Sequence, residues 1–320
     1  MSSLQLHSFQ SPWDFKLLDT GNGFRLEQWG EVILARPDPQ IIWQPQLPQV
    51  EWNKAWAIFK AGGDDNKGQW QITQPVPNPW IVKFHHPHLA SPLKGEESGA
   101  VQFLLKLSPF KHTGLFAEQA GQWEWMVNIL QIKNLRLENG NSNLNLKPKI
   151  LNLFAYTGGA SMVLAKLGCQ VTHVDASKPA ITWANENAKL NNLPPDAIRW
   201  ILDDCVKFTQ RELKRGVKYD GIIMDPPAFG HSPTGKTWKF NHNLPELLET
   251  CVNLLSDNAQ FLLINGYATN SSAIAINNLL EDAIKHRGGK IEFGELCLQQ
   301  KNSRMISTGI FSRWSKNLKI

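Results

Sequence analysis

The period of apolar and polar positions changes about a third of the way along the chain. Up to residue 100 the apolar runs are short and broken by turn sequences, TGNG at 20–23, RPDP at 36–39, AGGDDNKG at 61–68 and PVPNP at 75–79. Breaks at intervals of roughly 8–12 residues predict small antiparallel strands. From residue 117 a helical spacing sets in, Ala117 to Leu130, and then short apolar runs alternate with helical stretches. KILNLFAY (149–156) precedes a helix over Ser161–Leu167. VTHVDA (171–176) precedes Pro179–Leu190, with the proline where a helix start tolerates it. IRWILDD (198–204) is followed by CVKFTQRELKR, YDGIIMDPP (219–227) by LPELLETCVNLL (244–255), and AQFLLINGYA (259–268) by SAIAINNLLEDAIK (272–285). KIEFGELCLQ (290–299) and MISTGIFSRW (305–314) are two last strands that can form a hairpin, which makes one of them antiparallel.

Repeated strand–helix units predict an α/β fold, a parallel doubly wound sheet with right-handed crossovers. A smaller β-rich domain precedes it. The Pro/Gly/charge-rich stretch Pro87–Glu97 marks the boundary, so the expected domains are residues 1–100 and 101–320.

Composition sharpens this picture only in places. With 42% hydrophobic and 19% charged residues among 320, the chain is globular, neither disordered nor collagen-like. No apolar run approaches the roughly 18 residues of a membrane span, and MSSLQLHSFQ lacks the pattern of a secretory signal. Cys169, Cys205, Cys251 and Cys297 stand far apart with no CxxC pair, which argues against a zinc ribbon or a disulfide scaffold and predicts a cytoplasmic protein. HHPH at 85–88 has no Cys or Asp partner near it, so no metal site is expected.

Charge is uneven. Residues 1–100 carry a net −2 and the remainder +7. A basic second domain attracts a polyanion such as RNA or DNA, although an ordinary basic enzyme has the same balance. Seven of the thirteen tryptophans fall in the first hundred residues. They either stack on bases or fill the core of a small β domain, and the second role is the commoner one.

Ligands of open α/β sheets bind at the carboxyl ends of the strands, and four such ends here carry unusual polar residues. The first is Phe154-Ala155-Tyr156-Thr157-Gly158-Gly159-Ala160-Ser161, where small residues admit a ligand to the backbone and a helix N-terminus offers N–H groups. It is not GxGxxG, which disfavours a nicotinamide or flavin dinucleotide. The second is Asp175, which can accept both ribose hydroxyls of an adenosine cofactor or cap the next helix in competition with Ser177. The third is Asp203-Asp204-Cys205, able to receive an adenine amine and flank its ring, or again to cap a helix. The fourth is Asp225-Pro226-Pro227-Ala228-Phe229. Two prolines fix the backbone and remove two donors, leaving carbonyls and a carboxylate as acceptors beside a flat ring. That combination suits a flipped base with an exocyclic amine.

The order FAYTGGAS, Asp175, Asp204, DPPAF resembles the class I S-adenosylmethionine-dependent methyltransferases. More narrowly, FKHTGLFAEQAGQWEWM (110–126) and DPPAFGHSPTGKTWKF (225–240) are similar to bacterial large-subunit ribosomal RNA methyltransferases, and RLEQWGEVILARPDPQIIW (25–43) is similar to their N-terminal module. The resemblance covers about residues 101–315 and implies a Rossmann-like doubly wound methyltransferase sheet. It implies that Thr157, Gly158 and Gly159 face the methionine part of S-adenosylmethionine, Asp175 its ribose and Asp204 its adenine, with Tyr156 and Cys205 as further cofactor-binding residues. Segment 112–119 would wrap the cofactor through Phe116 and Gln119. Asp225, Pro226, Pro227 and Phe229 would hold the target base. Lys236 and Trp238 would meet a phosphate or stack on a neighbouring base, or be a solvated lysine and a packing tryptophan.

Methyl transfer from a sulfonium is an in-line displacement that needs alignment and no metal. Carbon-5 of a pyrimidine requires a cysteine nucleophile, and members of the resembled family with that chemistry carry it at the end of the fourth or fifth strand. Those positions read DPPAFG and INGYATNSS, without cysteine. The expected reaction is therefore nitrogen methylation of an RNA base, ribosomal RNA first. A protein or small-molecule substrate and a non-catalytic S-adenosylmethionine- or RNA-binding module are the alternatives. Homodimerisation through the aromatic module stays open.

Overall fold

The computed structural model describes residues 3–62, 68–89, 99–138, 147–231, 237–300 and 304–316, without the side chains of 132–138 and 231. In chain order the strands are β1 (Gln5–His7), β2 (Phe15–Gly21), β3 (Phe24–Trp29), β4 (Val32–Pro37), β5 (Ala57–Ala61), β6 (Gly68–Ile72), β7 (Trp80–His85), β8 (Ala100–Leu105), β9 (Lys149–Leu153), β10 (Gln170–Asp175), β11 (Ile198–Leu202), β12 (Gly221–Met224), β13 (Phe229–His231), β14 (Thr237–Lys239), β15 (Phe261–Gly266), β16 (Lys290–Gln299) and β17 (Met305–Ser315). The helices are α1 (Gln49–Trp52), α2 (Ala120–Glu138), α3 (Gly159–Lys166), α4 (Lys178–Leu190), α5 (Cys205–Lys214), α6 (Phe240–Leu254) and α7 (Ala273–Ile284). None of the described helices is long and apolar enough to cross a membrane.

The chain forms two compact units, Ser8–Ala120 with Cys297–Ser307, and Met1–His7 with Gly121–Leu296 and Thr308–Ile320. The expected boundary at residue 100 falls inside the first of these, at the first residue of β8. Of the expected linker Pro87–Glu97, residues 90–97 lie outside the described ones.

The first unit is β-rich. Strands β2 to β6 form one sheet, antiparallel except where β4 runs parallel to β5, and β7 pairs with β8. Its core is aromatic: Trp29 is fully buried, with Trp13 and Phe15 edge-on or tilted at 5.5 and 4.6 Å between ring centres. The indole N–H groups of Trp29, Trp43, Trp52, Trp70 and Trp80 bond to Glu27, Thr20, Asp19, the Ser108 carbonyl and the Trp29 carbonyl. Packing and internal bonding, rather than a row of rings open to bases, account for these tryptophans. Beneath them Glu27 is held between Arg25 and Arg36 with no exposed side-chain surface, and the two guanidinium groups keep its carboxyl below the ordinary range despite burial.

The second unit is a doubly wound α/β sheet in the order β1-β16-β17-β15-β12-β9-β10-β11. Strands β9, β10, β11, β12 and β15 are mutually parallel, and β17 runs antiparallel to β15. Strands β12 and β15 are buried throughout and almost wholly apolar, as strands covered on both faces tend to be. On one face α5, α6 and α7 bring Phe208, Leu244, Leu248, Ile276 and Leu280 onto Leu151, Leu153, Ile222, Leu262 and Ile264. On the other, Trp125 of α2 sets its ring 5.8 Å from that of Phe261. Each buried aliphatic side chain contributes roughly 1.5–3 kcal/mol, so this double cover makes the sheet the rigid frame of the unit. Helix α6 starts at Phe240, four residues before the expected LPELLETCVNLL (244–255), and carries Pro245 within. Phe240 is buried and Asn243 accepts the Lys239 amide, which fixes the start ahead of the proline.

The strand order reverses at β9, which has β10 on one side and β12 on the other. This is the switch point where such sheets bind ligands.

Candidate functional site

Register brings the predicted residues together. Leu153 of β9 lies opposite Val174 of β10 and Met224 of β12, so Phe154, Asp175 and Asp225 follow at adjacent carboxyl ends. The Asp225 amide reaches the Leu153 carbonyl at 3.4 Å.

The glycine-bearing turn between β9 and α3 is strained. Phe154 and Tyr156 have φ of 56° and 50°, left-handed values that side chains larger than glycine disfavour, and Gly158 has φ 85°. Gly158 is the N-cap of α3 and supplies no side-chain cap to its first turn. A Cβ on Gly159 would stand 2.6 Å from Cζ2 of Trp123, so only glycine fits between turn and indole. Four buried side chains hold this shape from behind. The Asn187 amide donates to the Thr157 carbonyl at 2.9 Å. Asn152 donates to Ser161 Oγ at 2.9 Å, and Ser161 Oγ lies 3.0 Å from His173 Nδ1. Burial pushes the His173 imidazole down to about 3, with the Tyr156 carbonyl opposing, so the ring is neutral.

Asp175 bridges two segments. Its Oδ2 accepts the Tyr156 amide and its Oδ1 the Ser177 amide, each at 2.8 Å. Burial raises its carboxyl above the ordinary range, partly offset by these amides. The helix-capping job belongs to Ser177, which accepts from Ala180. Asp204 does cap: its Oδ1 accepts the Lys207 amide at the start of α5. Asp203 pairs with Arg211 and accepts the Asp204 amide.

Cys205 is buried beneath these ends. Its Sγ accepts the Phe154 amide at 3.3 Å and points its thiol to the Val174 carbonyl at 3.8 Å. Burial raises its pKa well above the ordinary thiol value. A thiol so placed stitches β9, β10 and α5 together. All four cysteines are buried, and no disulfide joins any two of them.

At the DPPAF turn one expectation needs correction. The Pro227 carbonyl is not left open as an acceptor: the Trp238 indole donates to it at 2.7 Å. The reason is the short β13–β14 hairpin, which folds Trp238 back over the turn. Phe229 keeps 55% of its surface exposed. Phe116 and Gln119 lie in the β-rich unit, Phe116 with its ring 5.0 Å from that of His112 and Gln119 at the end of a short 3-10 turn. Lys236 lies outside the described residues.

Several supporting residues escaped the sequence reading: Asn152, Ser161, His173, Asn187 and Trp123 around the turn, and a buried chain at the end of β15. There Gln122 donates to Asn265 at 3.4 Å and accepts from Arg313 at 2.7 Å, and Arg313 also pairs with Glu292 at 3.1 Å. Burial lowers the Arg313 guanidinium to about 10. Only the polar residue types were visible in sequence, and nothing there told them from surface positions.

A clamped turn at a helix N-terminus, an acid on the next strand end and an acid–proline turn across the switch point define a nucleoside-binding α/β transferase. Comparison with known proteins agrees. The family described as RNA cap guanine-N2 methyltransferase matches residues 147–280. Ribosomal RNA large subunit methyltransferase K/L of Shewanella frigidimarina is 31% identical over 194 residues, 58% of this chain and 25% of that protein. Ribosomal RNA large subunit methyltransferase I of Klebsiella pneumoniae is 30% identical over 172 residues, 50% of this chain and 40% of that protein. The chain thus spans a quarter to two fifths of the length of these curated relatives. The crystal structure of the SAM-dependent methyltransferase from Agrobacterium tumefaciens matches with a TM-score of 0.83 at 36% identity, over 97% of this chain and 92% of that one. This chain belongs to the S-adenosylmethionine-dependent methyltransferases.

Proposed function

We propose that the protein transfers a methyl group from S-adenosylmethionine to a nitrogen of a base in ribosomal RNA. The observation that carries this is the convergence of the 154–159 turn, Asp175 and Asp225 on the carboxyl ends of three adjacent strands. The names of the relatives just given favour ribosomal RNA, and the basic balance of residues 101–320 suits a polyanion in the cytoplasm.

The residues fit the cofactor. The turn Tyr156–Gly159 leads into an uncapped helix start, which suits the amino-acid end, and the half-buried carboxylate of Asp175 suits ribose hydroxyls. Asp204 keeps a second oxygen for the adenine amine while Oδ1 caps α5. Cys205 serves from below as packing. When bound, S-adenosylmethionine supplies an electrophilic methyl on a sulfonium whose leaving group is a neutral thioether.

The protein then has to hold a nitrogen lone pair in line with that methyl. The Asp225 carboxylate and the Pro226 carbonyl accept hydrogen bonds from the target amine, which fixes the direction of its lone pair. Asp225 takes up the proton released as the new C–N bond forms. Pro227 stiffens the turn, and exposed Phe229 gives the RNA a ring to lie on. Carbon-5 chemistry would need a thiolate at the end of β12 or β15, and neither end carries a cysteine.

The test is incubation with tritiated S-adenosylmethionine and unmodified large-subunit ribosomal RNA, with transfer RNA and a protein lysate as competing acceptors. Label in the ribosomal RNA, lost in Asp225→Ala with S-adenosylhomocysteine binding intact, supports the proposal. Label confined to lysate protein or small molecules refutes the RNA substrate.

A further inference from the structure

The hairpin after the acid–proline turn brings a second ring to the site. Phe229 pairs with Lys239, and Gly230 pairs with Trp238. Cross-strand partners share a face and successive residues alternate, so Phe229 and Lys239 project from one face and Trp238 from the other. The Trp238 face is the one turned to the strand ends. Its indole N–H holds the Pro227 carbonyl, and its ring centre lies 5.2 Å from that of Phe154, tilted by 55°. The Phe240 amide closes the same turn by donating to the Ala228 carbonyl at 3.0 Å. Trp238 remains partly exposed, and Gly230, its cross-strand partner, has no side chain to cover the ring.

We infer that Trp238 is the surface on which the target base stacks, and that Phe229 and Lys239, on the outer face, engage the adjoining RNA. This rests on the methyl-transfer reading above and deepens it. The edge of the indole is fixed by the Pro227 carbonyl, which leaves a π-face to work with. A base lying on that face has its amine beside Asp225. Trp238 takes one lone pair of the Pro227 carbonyl, and the Asp225 carboxylate and the Pro226 carbonyl offer one acceptor for each N–H of a primary amine. Phe154 ties the indole to the cofactor turn, so base and methyl donor are aligned by one packed contact. On the outer face Lys239 stands across from the exposed ring of Phe229, a cation beside an aromatic plane, which is the pairing that single-stranded RNA uses.

The inference is tested with Trp238→Ala, Trp238→Phe, Phe229→Ala and Lys239→Ala in the full chain, reading S-adenosylhomocysteine affinity by calorimetry and kcat and KM on ribosomal RNA. Trp238→Ala is expected to lower kcat about 10- to 100-fold, the range a lost base stack produces, with S-adenosylhomocysteine affinity within about twofold. Trp238→Phe keeps a ring and recovers most of kcat. Phe229→Ala and Lys239→Ala act mainly on KM. Trp238→Phe as damaged as Trp238→Ala, or cofactor affinity falling in step with kcat, overturns the stacking role. If the wild type labels no ribosomal RNA, the substrate reading has failed and the inference is judged by binding of a mixed-sequence single-stranded RNA oligonucleotide in the presence of S-adenosylhomocysteine. A dissociation constant unchanged by Trp238→Ala then refutes it, and one weakened about tenfold upholds it.

Discussion

The Tyr156 amide donates to Oδ2 of Asp175 at 2.8 Å, tying the strained turn after β9 to the end of β10. One carboxylate therefore shapes the turn and, in the proposed function, is the group that meets the ribose. Burial raises its pKa above the ordinary 3.8, so it takes up a proton at a higher pH than a free aspartate. Protonation removes an acceptor for the ribose hydroxyls. S-adenosylhomocysteine affinity should thus be constant near neutrality and fall as pH drops through the raised pKa. Asp175→Asn should bind about 1–3 kcal/mol more weakly with a flat profile over the same range, measured by calorimetry. A wild-type profile as flat as that of Asp175→Asn would remove Asp175 from the pocket.

Gly159 is required by space and Gly168 by backbone alone. A Cβ on Gly159 meets the buried Trp123 ring at 2.6 Å, whereas Gly168, with φ 91°, has nothing within 4 Å. Gly159→Ala should cost about 1–3 kcal/mol through overpacking and weaken S-adenosylhomocysteine binding, because the ring can yield only by moving the turn. Gly168→Ala should cost roughly 1–2 kcal/mol of left-handed strain and leave binding unchanged. Urea unfolding and calorimetry on the two variants separate these effects.

Cys205 should be inert. Its buried thiol has a raised pKa and bonds the Phe154 amide and the Val174 carbonyl. A thiol reagent should modify it only as fast as the protein opens. Cys205→Ala should lose about 1–2 kcal/mol of stability and keep methyl transfer. Loss of transfer with stability preserved would assign the thiol a chemical role.

His173 makes stability fall on acidification. The folded protein keeps the ring neutral down to about pH 3, whereas the unfolded ring binds its proton near 6.5. Between those values the unfolded chain holds the extra proton, so stability is level above 6.5 and declines below it, by up to about 1.4 kcal/mol per pH unit for this group. His112, also pushed down to about 3 by burial and by Arg36, adds a second such slope. His173→Gln should show a shallower loss of unfolding free energy between pH 6.5 and 5 than the wild type. Equal slopes would mean that His173 is solvated.

Much of this was legible in the chain because strand–helix alternation fixes where strand ends fall, and the proposed site lies at those ends. KIEFGELCLQ coincides with β16 and Asp175 with the end of β10. The hidden parts are those in which a polar residue is buried. His173 sits at a polar position of VTHVDA yet has no exposed surface, and Arg313 looks like an outward residue of MISTGIFSRW but is 3% exposed. Their partners, Ser161 for one and Glu292 and Gln122 for the other, come from separate elements, so no local pattern announces them. The three-residue strand β1 is hidden for a similar reason: among the described residues its sheet partner is β16, almost three hundred residues away. The Trp238–Pro227 bond likewise depends on a hairpin register, invisible until β13 and β14 are paired.

Nitrogen methylation of a ribosomal RNA base is tested most directly by nucleoside mass spectrometry. Unmodified large-subunit ribosomal RNA is incubated with the protein and methyl-deuterated S-adenosylmethionine, then digested to nucleosides. We predict a single deuterated N-methyl nucleoside, absent in Asp225→Ala. A deuterated 5-methylpyrimidine would contradict the account, because among the described residues no cysteine stands at the end of β12 or β15 to form it.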